Sequence, residues 1–234
     1  NRKHISVRIQ EPSKVKVLPN WVDLKAYHVV DGADAFRARH GLEGAFLVLF
    51  AGVMGYAQDL EIVIEAAHKL RAHKDIIFLL VGDGVEKPSL ELKVGEFGLS
   101  NVKFLPWVSP DEYPKLVNAV NVGLVTLKKS MKTPVVPSKL LGYMAAGKPI
   151  VSSLNPESDA ISIIERSQCG FNVPAGDSAS LGYAIEQLYK SPNLAYQMGV
   201  SGRAYADAHF SLTQAIDQYE TVLMGSRRNR GFDR

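Results

Sequence analysis

The chain has 234 residues, 46% of them hydrophobic, which is long and apolar enough for a sizeable core and excludes disorder as the default. Lys plus Arg number 27 against 24 Asp plus Glu, a net charge of +3, too mild to argue for a nucleic-acid partner. The single cysteine, Cys169, cannot form an internal disulfide, and the longest apolar windows, 46–57 and 76–82, fall short of the roughly 20 residues that span a bilayer, so a cytoplasmic chain without a crossing segment is expected.

The opening residues, 1–13, begin without Met and read as a remnant of an interdomain linker. Apolar runs of strand length follow: KVKVLP (14–19), FLVLFAG (46–52), IIFLLVG (76–82), NVKFLPW (101–107), NVGLVTL (121–127), KPIVSS (148–153) and GFNVP (170–174). Longer amphipathic stretches alternate with them. In 59–73, Leu60, Val63, Ile64, Ala67 and Leu70 repeat at helical spacing, with Glu61, Glu65 and Lys69 on the other side. In 109–120, Ser109 and Glu112 have the spacing of a capping box, with Pro110 at the first helical position.

Ser138 is read as the N-cap of a short helix that Gly147 closes in a left-handed turn. Asp177 is the expected N-cap of a helix whose buried stripe is Leu181, Ala184, Ile185 and Leu188. Helices at about 193–207 and 210–224 finish the fold, and the arginine-rich 225–234 reads as a solvated tail. The alternation predicts one α/β domain, an open, doubly wound, Rossmann-like parallel sheet.

In such sheets ligands bind outside the carboxyl ends of the strands. Gly52 and Gly55 flank a turn that lets backbone N–H groups approach an anion, although neither the dinucleotide fingerprint nor the P-loop pattern is present. Gly82, Asp83 and Gly84 form a second turn, for which tight geometry alone is a sufficient reason. Backbone at Val108 would lie beside the same crevice and could read the edge of a base, with Trp107 as a core or rim aromatic.

Lys139 stands in the first turn of the helix opened by Ser138, where a cation opposes the helix dipole by typically about 0.3–1 kcal/mol, so a bound anion or a nearby acid is expected there, with phosphate favoured. The six histidines, His4, His28, His40, His68, His73 and His209, lack companions at metal-ligand spacing, and no metal site is expected. Cys169 reads as a small buried residue.

In order, VKVLPNWVDL, FAGVMGYAQDLEIVIEAA, LLVGDG, NVKFLPWVSPDEYPKLVNAV, PSKLLGYMAAGKPIVSS and GFNVPAGDSASLGYAIEQL resemble the C-terminal half of a family 4 glycosyltransferase of GT-B fold, over about residues 14–224. The Y-A-Q-D and P-S-K stretches are most similar to bacterial transferases that build O-antigen or capsule from sugars such as fucosamine. The resemblance implies a retaining transfer from a nucleotide-diphosphate sugar, UDP-linked in the first instance, to a saccharide or lipid-linked acceptor. It implies no metal or other cofactor, and an acceptor domain upstream through which the protein could touch the inner face of a membrane. The fragment alone would be inactive.

Carried over by position, the turn Gly52 to Gly55 and the amides of Ser138, Lys139 and Leu140 would grip the diphosphate and the backbone at Val108 would read the base; Gly82 is a further candidate for nucleotide binding, and Lys139, as catalytic cation, would substitute for the family's missing ones. Four positions depart from the family. Val53 and Gln58 stand where it commonly has Arg and Lys, and Pro134 and Gly142 stand where it has glutamates for the donor sugar and the ribose. Two other readings stay open, a non-catalytic nucleotide-binding domain with a degenerated site and a sugar epimerase of similar architecture.

Overall fold

A computed structural model describes residues 5–8, 11, 15–27, 32–132 and 134–228. His4, His28, the last part of the 225–234 tail and most of the 1–13 linker reading lie outside these residues.

Six strands form one parallel sheet: β1 (Phe46–Ala51), β2 (Ile76–Val81), β3 (Val102–Leu105), β4 (Val122–Thr126), β5 (Ile150–Leu154) and β6 (Gly170–Pro174). Their order is β3-β2-β1-β4-β5-β6, so the chain runs outward from β1 to β3 and then returns to start again beside β1. The place where the order reverses is therefore the junction of β1 with β4.

The helices are α1 (Ala33–Arg39), α2 (Glu61–Lys69), α3 (Lys87–Glu96), α4 (Tyr113–Ala119), α5 (Ser138–Ala145), α6 (Asp159–Ser167), α7 (Ser178–Lys190), α8 (Pro192–Phe210) and α9 (Leu212–Arg228). They cover both faces of the sheet. Alternate residues of β1 show why: Leu47, Leu49 and Ala51 pack with α1, α4, α5, α6 and α8, whereas Val48 and Phe50 pack with α2, α3 and α7. A strand buried on both faces must be apolar throughout, which is what made these runs readable in sequence.

All five stripe residues expected in 59–73 are buried, as are the four of α7. Asp177 caps α7 by accepting from the N–H groups of Ala179 and Ser180 at 3.1 and 2.9 Å. Asp177→Ala is expected to lower the unfolding free energy by about 0.5–2 kcal/mol, and Asp177→Asn by much less, in urea melts.

Three local expectations need correction. Residues 15–19 form no strand; Val17 is exposed and Val15 only partly buried, so the apolar side of the alternation is not packed as a sheet face would be, and the bridge nearby among the described residues is a parallel one from Val22 to Ser211. The 109–120 helix begins a turn late, at Tyr113. Ser109 closes the preceding turn, its carbonyl accepting from the Glu112 and Tyr113 N–H groups and its Oγ from the Glu112 N–H at 3.3 Å, which is the serine half of the expected capping box; Glu112 turns its carboxylate to Arg39 at 2.8 Å instead of back to Ser109, and Pro114 rather than Pro110 occupies the first helical turn. Finally, Ser138 is the first residue of α5 and Pro137 its N-cap, with no side-chain cap bond. Gly147 ends α5 as expected, at φ 64°, its N–H bonding Met144 C=O and the Lys148 N–H bonding Tyr143 C=O. Among the described residues no helix is long and apolar enough to cross a membrane.

Candidate nucleotide site

A cleft of about 780 Å³ opens at the carboxyl ends of the central strands. Ala51 and Gly52 enter it from β1, Val81 from β2, Trp107 and Val108 from the loop after β3, and Leu127 from the loop after β4. Pro137, Ser138, Lys139 and Gly142 come from the mouth of α5. The cleft thus sits at the sheet's switch point.

Of the predicted residues, Gly52, Val53, Gln58, Val108, Ser138, Lys139 and Gly142 converge on this one space. Gly55, Gly82 and Leu140 do not line it. Gly55 is the N-cap of a short 3₁₀ turn, Tyr56–Gln58. Leu140 is wholly buried in the core, and its N–H is taken by Pro137 C=O at 3.1 Å. The amides left open at the helix mouth are therefore those of Ser138 and Lys139.

Gly82 works one layer behind the cleft. A Cβ there would lie 2.1 Å from the Gly52 carbonyl oxygen, so glycine is what lets the β1 and β2 turns touch. Behind them, Gly84 N–H donates to the Asp83 carboxylate at 2.8 Å and Met54 N–H to Asp83 C=O at 2.8 Å. The tight-turn reading of Gly82–Gly84 accounts for both glycines.

Lys139 is the one charged side chain on the lining; no carboxylate lines the cleft among the described residues. Its Nζ donates to Gln58 Oε1 at 3.1 Å and stands 3.6 Å from the centre of the Phe50 ring. Ring and amide favour the ammonium form, but burial outweighs them and pushes the pKa down to about 7. Gln58 is itself held in place, because Thr126 Oγ donates to its carbonyl at 2.6 Å and Lys128 N–H to the carbonyl of Ala57 at 2.9 Å. Gln58 is thus a fixed local partner for Lys139.

Sequence reasoning missed two aromatic walls, Tyr27 and Tyr113, whose rings meet edge-to-face at 6.3 Å. Tyr27 arrives from the segment before β1. Val22 N–H donates to Phe210 C=O at 2.9 Å, and the Arg203 guanidinium of α8 joins Leu24 C=O at 3.2 Å to Ala145 C=O, fixing this segment beside α5. No local pattern around Tyr27 signals such a position. Trp107 is exposed on the rim and Cys169 is buried in the core, in line with their sequence reading. Among the described residues no group of three His, Cys, Asp or Glu side chains could hold a metal ion.

Comparison with known proteins gives a family model described as Glycosyl transferases group 1, matched over residues 45–191. WcaI of Escherichia coli, whose name assigns it to colanic acid biosynthesis as a glycosyl transferase, is 36% identical over 55% of this chain and 32% of its own length. The chain spans about a third to a half of the length of the curated relatives it matches. Among solved structures, Anabaena HepE in complex with UDP aligns with a TM-score of 0.81 at 22% identity, over 90% of this chain and 57% of that one. The C-terminal domain of the group 1 family protein LpcC from Francisella tularensis aligns at 0.70 and 18% identity, over 82% of this chain and 99% of that domain. These likenesses place the fold with the GT-B glycosyltransferases.

Proposed function

Because the chain belongs to the group 1 glycosyl transferases, we propose that it is the donor-binding half of a retaining glycosyltransferase that uses a nucleotide-diphosphate sugar. The observation that carries this is the convergence of Lys139, Gln58, Gly52 and the open amides of α5 on a cleft lined by no carboxylate among the described residues. Such a space repels cations and accepts a diphosphate. Val108 and Trp107 line the same cleft from the loop after β3, and a base would lie against them.

The chemistry asked of these residues is charge stabilisation. As the bond from the donor sugar's anomeric carbon to the diphosphate breaks, the electron pair passes to the departing oxygen. An ammonium and two backbone N–H groups held in place beforehand lower the cost of that charge. The acceptor and the second catalytic wall belong to an upstream domain, in keeping with an alignment that covers 57% of HepE and nearly all of the LpcC C-terminal domain.

UDP is the leading nucleotide because HepE is solved with UDP and with UDP-glucose. A role in cell-surface polysaccharide synthesis, at the inner face of a membrane, is the wider form of this reading, and WcaI, named for colanic acid biosynthesis, is the relative it draws on. O-antigen or capsule assembly with an acetamido-deoxyhexose donor is the finer form of this reading.

Isothermal titration with UDP, GDP and their sugar conjugates tests it. Saturable heat with one diphosphate series is expected, and weaker heat with the free nucleoside. No heat at millimolar ligand would favour a retired, non-catalytic site, the reading that Val53 and Gln58 in place of two cations would then support. Turnover of UDP-sugar by this chain alone would point instead to the epimerase.

A further inference from the structure

We propose that Arg203 is a positioning residue of the donor cleft: its guanidinium clamps the end of α5 to the segment 20–27 and so holds Tyr27 in place as a wall of the cleft before any nucleotide arrives. This deepens the donor-site reading above and rests on it.

The last turn of α5 explains why an arginine stands there. A helix ends with four carbonyls that find no partner within it. Three of those near the end of α5 are met locally: Gly142 C=O by the Ala146 N–H at 3.0 Å, Tyr143 C=O by the Lys148 N–H at 2.9 Å and Met144 C=O by the Gly147 N–H at 3.0 Å. Ala145 C=O is left, and Arg203 brings its donor from α8. A cation at this end also meets the negative pole of the helix dipole. α8 comes close enough because residue 199 is glycine; a Cβ there would lie 2.0 Å from the Gly147 carbonyl oxygen.

The other arm of the guanidinium donates to Leu24 C=O at 3.2 Å. The segment 20–27 belongs to no strand. It is tied at Val22, which bridges Ser211 and gives its N–H to Phe210 C=O at 2.9 Å, and at Leu24 by Arg203, the tie nearer to Tyr27. Val22 and Leu24 are also buried in the core that holds Leu140 and Leu141 of α5, so packing keeps the segment attached if the clamp is lost. Three residues beyond Leu24, the Tyr27 ring lines the cleft, edge-to-face with Tyr113, and its hydroxyl oxygen lies 3.3 Å from where a Cβ on Gly142 would stand. Arg203 therefore joins the helix whose first turn opens on the cleft to the chain that walls it. A wall left loose would have to be ordered by the arriving ligand, at a cost in affinity.

Calorimetric titration with UDP and GDP, together with tyrosine-ring NMR of the unliganded chain, tests the assignment. Arg203→Met, which keeps an apolar stem, is expected to bind the preferred nucleotide about threefold to tenfold more weakly than wild type. Arg203→Lys returns a cation to the end of α5 and with it the stability of the fold, but it has no planar fork to join two carbonyls, so its binding should stay weak. It also serves if Arg203→Met fails to fold. In a Tyr27→Ala background, changing Arg203 should cost no further affinity. Without ligand, the Tyr27 ring resonance, identified by its absence from Tyr27→Phe, should shift in both Arg203 variants, while that of Tyr143, whose hydroxyl donates to Leu49 C=O at 3.1 Å, stays in place.

Wild-type affinity in both Arg203 variants overturns the clamp, as does a Tyr27 resonance that neither variant moves. A loss just as large in the Tyr27→Ala background overturns its action through Tyr27 while leaving the donor site standing. Absence of nucleotide binding by wild type takes down the donor-site reading, and the clamp's role in binding with it.

Discussion

Replacing Lys139 with alanine is expected to weaken UDP or GDP binding by about tenfold to a hundredfold and to leave nucleoside binding nearly unchanged. The factor follows from losing a charged hydrogen bond, about 1.5–3 kcal/mol, in a cleft with no other charged side chain on its lining among the described residues. Titration calorimetry with uridine and UDP side by side reads the contrast. Equal losses for both would remove the phosphate role.

The same lysine carries a pH dependence of definite sign. Its folded pKa is about 7, against about 10.4 in an unfolded chain, so between those values the unfolded chain binds more protons and apo stability rises with pH. Lys148, pushed down to about 8 by burial and by Arg37, adds to the trend. Urea melts of Lys139→Met should show a shallower rise. Binding runs the other way. An arriving diphosphate supplies the missing counter-charge and raises the Lys139 pKa, so the favourable contribution is complete below about pH 7 and fades as pH rises above it. UDP-glucose, whose diphosphate loses no proton in this range, should therefore take up protons on binding at about pH 8, measured in buffers of different ionisation enthalpy. Lys139→Arg, charged throughout, should take up none.

Gly82→Ala is expected to cost about 2–5 kcal/mol of stability and to weaken nucleotide binding without touching the ligand. Gly82 has φ 133°, strained for any L side chain, and its added methyl would meet the Gly52 carbonyl at 2.1 Å. Gly52 cannot yield freely, because its N–H is bonded to Val81 C=O at 2.9 Å and its own α-carbon faces Lys139 Nζ, 3.3 Å from where a Cβ would stand. Displacement at residue 82 is thus passed to the lysine. Gly95 provides the contrast, since it lies within α3, and a Cβ there meets nothing within 4 Å. Gly95→Ala should stabilise the fold by about 0.5–1 kcal/mol and leave binding alone. Denaturant melts and titrations of the two variants separate the effects, and a Gly82→Ala protein as stable as wild type would contradict the close-approach role.

The amino-acid sequence by itself determined the sheet, the helices that carry strong stripes and the cleft's position. Strands buried on both faces must be apolar end to end, a stripe such as Leu60 to Leu70 repeats at the helical period, and parallel strands place their loops at one edge. It also placed Lys139 and Gly52 together through the resemblance of ordered motifs. Tertiary structure alone decided what faces them. Tyr27 and Gly142 are separated by more than a hundred positions, and Gln58 meets Lys139 across 81. Sequence periodicity reports only which side of an element is buried, not what is buried against it. Residues 15–19 show the same limit, because alternation describes a strand's faces but cannot provide the neighbouring strand that would pair with it.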